Sequence, residues 1–351
     1  MRRREYLKAA GAGALGLTTA GCLQIGGGGS GGPLQIATYD SFFGDERTAG
    51  RWLKTEWEKN HDVDVEFTAP SNGINEFIQR KREGVGIDAD LYVGLNTSEL
   101  VRVDQELPDA TLFDGIADDL QHDSHIKDSL RVDPENRALP YDTGYISLVY
   151  DSTDVENPKT FDALTQPAYE GALLAENAQS SDPGRAFLLW TIKQFGEDGY
   201  LDYWRKLLEN DVRVLSDWQP AYDAFLAGER PIVVSYSTDQ VYYHSEDELP
   251  HHQVGFLNDQ GYANPETVAR FAGADRSETA GEFVDFMLSK QAQPKIAQRN
   301  VQFPSTDWAD LPEGYAEYAY EPPEPVTFTY EELAGNVEGW VETWAREIAA
   351  N

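Results

Sequence analysis

The chain has 351 residues and carries 61 acidic against 28 basic side chains, a formal net charge of −33. Such a surface repels nucleic acid and anionic lipid headgroups; it also resembles the acidic surfaces of proteins from extreme halophiles, so the charge alone says nothing about a cationic ligand. Cys22 is the one cysteine, which excludes an intramolecular disulfide.

At the N-terminus Arg2-Arg3-Arg4 precedes Glu5-Tyr6-Leu7-Lys8 and an Ala/Gly/Leu stretch from Ala9 to Ala20. That stretch falls well short of the ~20 apolar residues of a spanning helix. The order looks like a twin-arginine export signal, and Leu17-Thr18-Thr19-Ala20-Gly21-Cys22 resembles a lipoprotein processing box, so Cys22 is expected to carry a lipid. Residues 1–22 are read as signal and 23–33, with GGGGSGG from Gly26 to Gly32, as a flexible tether. The roughly 320 residues that follow exceed one usual core and predict two lobes.

Short strand-like runs alternate with amphipathic helices, the pattern of an α/β protein with mostly parallel sheets. Leu34 to Thr38 is the first strand, and Trp52, Leu53 and Trp57 mark a helix over Glu46 to Asn60. Val63, Val65 and Phe67 alternate as a strand, Pro70 to Gly73 breaks it, Ile74 to Arg82 is helical and Asp90 to Leu95 is a strand again. Arg137 to Asp151 predicts a long strand passing between lobes. Strands follow at Gly171 to Ala175, Arg213 to Leu215 and Arg230 to Tyr236, with helices at Arg185 to Phe195, Leu201 to Glu209 and Pro220 to Leu226. Glu266 to Gly273 reads as the return strand. Gly281 to Gln298 reads as one helix with Phe283, Phe286, Met287 and Ile296 on a face, and Tyr330 to Ala349 as terminal helices. The expected division is 34–141 plus 265–351 against 142–264.

Ligands of α/β sheets sit outside the carboxyl ends of strands. Those ends carry Tyr39-Asp40-Ser41, Ser71-Asn72-Gly73, Ser180-Ser181-Asp182, Ser216-Asp217-Trp218 and Ser235 to Asp239. Before Pro183, Ser181 or Asp182 is the expected N-cap, and helix N-termini attract anions. Tyr236, Tyr242 and Tyr243 share a loop with Asp239, and rings beside a carboxylate suit an organic cation. Two other uses remain open: phenolate ligation of a hard metal by Tyr242-Tyr243-His244, and an exported hydrolase built on Asp142, Ser237 and His244.

Several segments, in the same order, resemble the thiamine-binding proteins of ABC importers: Thr38 to Phe42, Pro140 to Tyr145 with Leu148 to Asp151, the loop before Pro183-Gly184, Trp218 with Ala221-Tyr222, Ser235 to Thr238, Phe283 to Met287 and Trp340 to Ala345. The resemblance implies a type 2 periplasmic-binding fold, two α/β lobes closing on thiamine or its phosphates. It implies no enzyme activity, cofactor or metal, a monomer, and permease and ATPase subunits as partners of a lipid-anchored protein at the extracellular face of the cell membrane. It points to Tyr39, Asn72, Gly73, Ser181, Asp182, Trp218, Tyr236, Ser237, Thr238, Asp239 and Tyr242 as ligand-binding residues. At two of the matched positions the chain departs from that family: Asn72 stands where it has an aspartate and Val301 where it has a tryptophan. Ferric-iron and polyamine binders share the fold class.

Overall fold

Two sets of parallel strands flank a central antiparallel zone in the computed structural model, which describes residues 32–349. The expected export signal, Cys22 and nearly all of the glycine tether lie outside the described residues. In the first set β1 (Leu34–Ala37), β2 (Val65–Thr68) and β3 (Leu91–Leu95) run parallel in the order β2-β1-β3. Helices follow each strand: α1 (Asp40–Phe43) and α2 (Ala49–Asn60) after β1, α3 (Ile74–Arg82) after β2, α4 (Thr97–Glu106) after β3. The apolar spacing of these helices is the face they bury, with Leu53 and Trp57 of α2 and Ile74, Phe77 and Ile78 of α3 all enclosed.

After the short strand β4 (Phe113–Asp114), β5 (Ala138–Tyr150) is buried along its whole length. It leads to the second parallel set, β6 (Leu173–Glu176), β7 (Arg213–Leu215) and β8 (Ile232–Tyr236). The span α5 (Asp182–Glu209) is interrupted at Gly196, with φ of 72°, as the two helices read from the sequence require. Next come α6 (Trp218–Leu226), β9 (Gln253–Gly255) and β10 (Gln260–Phe271). Strand β10 returns antiparallel to β5 and then to β3, giving the order β2-β1-β3-β10-β5-β8-β6-β7. The expectation of a mostly parallel sheet therefore holds only for the flanks. The two crossing strands run against their neighbours on both sides.

The helix expected over 281–298 is two helices, α7 (Ser277–Leu288) and α8 (Gln293–Asn300). Pro294 sits in the first turn of α8, where its missing N–H costs nothing; inside a continuous helix it would clash with the carbonyl four residues back. Then follow β11 (Phe303–Pro304), α9 (Glu313–Ala316), β12 (Glu324–Val326), α10 (Tyr330–Leu333) and α11 (Val337–Trp344). Leu333, Val337, Trp340 and Trp344 share a core with Phe187, Trp190 and Trp204 of α5, and the Trp204 and Trp344 rings lie 5.2 Å apart, edge to face. Within the stretch 265–351 expected in the first lobe, α11 thus packs on α5, while Tyr330 of α10 donates to Asp104 of α4 at 2.6 Å. Large rings on α5 need apolar cover, and the chain end supplies it.

Candidate functional site

The carboxyl ends of β1 and β8, the start of α6, the middle of β10 and the end of α8 enclose a cleft of about 390 Å³, within the roughly 300–1,000 Å³ of small-molecule sites. Tyr39, Trp218, Tyr236, Thr238, Asp239 and Tyr242, all expected from the sequence, line it. Two glycines let the rings lie low on the sheet. A Cβ on Gly94, whose φ is +97°, would stand 2.5 Å from the Tyr39 ring, and one on Gly144 would stand 2.8 Å from the Tyr236 ring and 2.6 Å from Gln302 Oε1.

Trp218 is held as a fixed face. The Asp217 carboxylate caps α6 by accepting from Trp218 N at 2.7 Å, the indole N–H donates to Ser235 Oγ at 3.1 Å, and the ring stacks on Tyr222 at 4.9 Å. Behind this stack lies Asp239. Its two oxygens accept from the Tyr222 hydroxyl at 2.5 Å and contact His252 Nδ1 at 2.8 Å, leaving the side chain 1% exposed. Asp239 thus lines the cleft and braces its aromatic wall at once. Its carboxylate is committed to the support of the aromatic wall.

Besides Asp239 the acid that lines the cleft is Glu266 on β10, and its register partner on β5 is the fully buried Asp142. Glu266 Oε2 accepts from the Tyr39 hydroxyl at 2.7 Å and from the Tyr141 hydroxyl. Asp142 Oδ2 accepts from Asn300 Nδ2 at 2.7 Å, and that same nitrogen lies 3.0 Å from the Tyr39 hydroxyl. Burial, then the Glu266 charge, raises the Asp142 carboxyl well above its ordinary range. Burial raises Glu266 too, against the pull of the two phenols. Both phenols are pushed up, chiefly by burial and then by Glu266, which opposes their use as phenolate ligands.

Asn72, Gly73, Ser181, Asp182 and Ser237 do not line this cleft. Asn72 is exposed in a turn, and Gly73 takes φ of 53° and ψ of −137° as the residue before α3. Ser181 is the N-cap of α5, accepting from Gly184 N at 3.3 Å. The Asp182 carboxylate accepts from Asn96 at 2.8 Å and from Asn264 at 2.6 Å, a bridge between α5 and the first strand set. Ser237 is fully buried, its N–H donating to Tyr145 O. Tyr243 is also buried, stacked on His252 at 3.8 Å, so Tyr242 and Tyr243 do not converge as a metal pair. His244 contacts the carbonyls of Gln240 and Val241 through Nδ1 and stacks on Tyr318, which leaves the Asp142, Ser237, His244 triple unassembled.

Glu266, Asn300, Arg299 and Gln302 were not among the expected residues. A carboxylate at the first position of the predicted return strand, Glu266 to Gly273, was the one signal for Glu266. Nothing local marks Asn300 or Gln302, which reach the cleft because α8 ends there. Val301 lines it too, in the left-handed region at φ of 57°, as the residue that terminates α8.

A profile described as bacterial extracellular solute-binding protein matches residues 89–321. A thiamine-binding periplasmic protein of Salmonella typhimurium is 28% identical over 322 residues, covering 90% of this chain and 93% of that one. Among solved structures, a periplasmic thiamin binding protein superposes with a TM-score of 0.76 at 26% identity, covering 93% of this chain and 99% of the other. A ferric binding protein from Campylobacter jejuni shares the fold, with a TM-score of 0.73 at 17% identity over 90% of this chain and 99% of its own.

Proposed function

We propose, from the premise that this chain belongs to the bacterial extracellular solute-binding protein family, that the solute it captures for an ABC importer is thiamine or a thiamine phosphate. The observation that carries this reading is one cleft in which the Trp218 and Tyr236 rings share a small volume with Glu266, backed by its buried register partner Asp142. A permanent organic cation with flat rings needs those two things together. The similarity to thiamine-binding periplasmic proteins over nine-tenths of the chain supports it. The raised phenols of Tyr39 and Tyr141 speak against ferric iron.

The test is calorimetric titration with thiamine, its mono- and diphosphate, ferric citrate and spermidine, run in molar salt because the net charge of −33 suits a halophilic protein. Thiamine or a thiamine phosphate should bind tightest. Binding of ferric citrate with a visible phenolate colour, and none of thiamine, would overturn the assignment.

The two strand sets are the proposed lobes, closing about Asp142 to Tyr145 and Tyr262 to Ala269. Closure would bring the N-terminal ends of α3 and α5, at Asn72, Gly73, Ser181 and the backbone of Asp182, toward the ligand's phosphate end and present a surface to the permease. Small-angle scattering at saturation should show a smaller radius of gyration; an unchanged radius counts against the clamp. The exported protein is taken as a monomer tethered by a lipid on Cys22, so Cys22→Ser should release it from membranes.

A further inference from the structure

Asp142 and Glu266 face each other across the β5–β10 ladder, and their oxygens are unevenly used. Both phenols give their protons to one oxygen, Glu266 Oε2, and Asn300 serves Asp142 Oδ2. Asp142 Oδ1 is buried with no hydrogen-bond partner among the described residues. Asp142 itself is fully buried, whereas Glu266 opens on the cleft. Two adjacent carboxylates in low dielectric cannot both ionise cheaply, so one proton on the pair is the stable arrangement until a positive charge arrives.

The groups packed round the pair are Tyr39 after β1, Tyr141 on β5, Asn300 and Arg299 from α8, Gln302 beyond it, and Tyr315 from α9. Asp182 of α5 adds a further negative charge that acts on Glu266. Of these only Arg299 is a cation, and its guanidinium donates to the Arg47 carbonyl at 2.7 Å. Both acids lie above the ordinary carboxyl range, chiefly from burial.

We propose that Asp142 and Glu266 together form a proton-exchanging cation selector: the ligand-free pair shares one proton, and a positively charged ligand takes that proton's place. This rests on the cationic ligand proposed above. On binding, the acid O–H ionises, its proton passes to solvent, and the two carboxylates are left beside one ligand charge. Cation affinity then rises with pH by as much as tenfold per unit while the free pair still holds its proton, and levels off once the pair ionises unaided. A neutral analogue of the same shape gains nothing from that change.

The test has two arms. Titration of the full chain with thiamine over a series of pH values, in buffers of different ionisation heat, should show proton release that approaches about one per ligand where the free pair holds its proton and fades as pH rises. Asp142→Asn should bind with that release abolished. Wild-type heats independent of the buffer, or equal release from the variant, overturn the proposal.

The second arm uses no ligand and follows thermal unfolding against pH. A carboxyl raised in the fold binds protons more tightly there than in the unfolded chain. Wild type should therefore lose stability as pH rises from the ordinary carboxyl range through the folded pKa, and Asp142→Asn and Glu266→Gln should lose less. Variants that parallel wild type across this range overturn the shared proton. If thiamine fails to bind while the variants still diverge from wild type, the ligand assignment falls and the shared proton stands.

Discussion

The Trp218 side of the cleft and its Glu266 side both hold buried carboxylates, but their neighbours use them to different degrees. Asp239 has a partner on each oxygen and serves to lock Tyr222 under Trp218. Asp142 keeps one oxygen without a partner, next to an acid of the same sign. One side is a wall completed at folding; the other is a floor whose charge waits for something to arrive. A carboxylate adjacent to aromatic residues in sequence is therefore a poor guide to which acid meets a ligand. The bonds already made by each oxygen are the better one.

The hardest blow to the wall is Asp239→Ala. It strands the Tyr222 hydroxyl and His252 in the core, and each orphaned group costs about 1–3 kcal/mol. Denaturant unfolding should show a loss of roughly 2–5 kcal/mol; a loss below about 1 kcal/mol would mean the wall does not depend on its acid.

Trp218→Ala or Tyr236→Ala should act on binding instead. A cation over a ring contributes ~0.5–2 kcal/mol, and about 1.4 kcal/mol is tenfold, so thiamine affinity should fall by roughly two- to thirtyfold. Unchanged affinity in both variants would remove the aromatic half of the site.

A smaller effect separates the floor from the wall. Val301 holds a left-handed backbone that costs a side chain roughly 1–2 kcal/mol, so Val301→Gly should stabilise the fold by up to about 1 kcal/mol after glycine's own entropy cost. A destabilised variant would show that side-chain packing outweighs the strain. The least effect belongs to Tyr243→Phe. Its ring lies behind the wall on His252, so thiamine affinity should stay within about twofold.

The rings of the site were legible because they lie where parallel strands end, and that position follows from local patterns. Tyr39, Trp218, Tyr236 and Tyr242 all reach the cleft. The acid pair was not legible, because Asp142 and Glu266 meet only through the register of two distant strands. Sequence order likewise kept the last helix with the segment before it, although Trp340 and Trp344 pack against the rings of α5. Asn72 and Ser181 were placed by their strand-end loops and by resemblance, and neither lines the cleft.

Gly94 and Gly144 give the cleft its depth. Neither would touch a solute, yet a methyl group on either would lift Tyr39 or Tyr236 from the sheet beneath it. The thickness of molecule admitted between the rings and the acids would shrink before any binding group was lost. The depth of this cleft is set by atoms the sequence leaves out, at two positions that do not themselves line it.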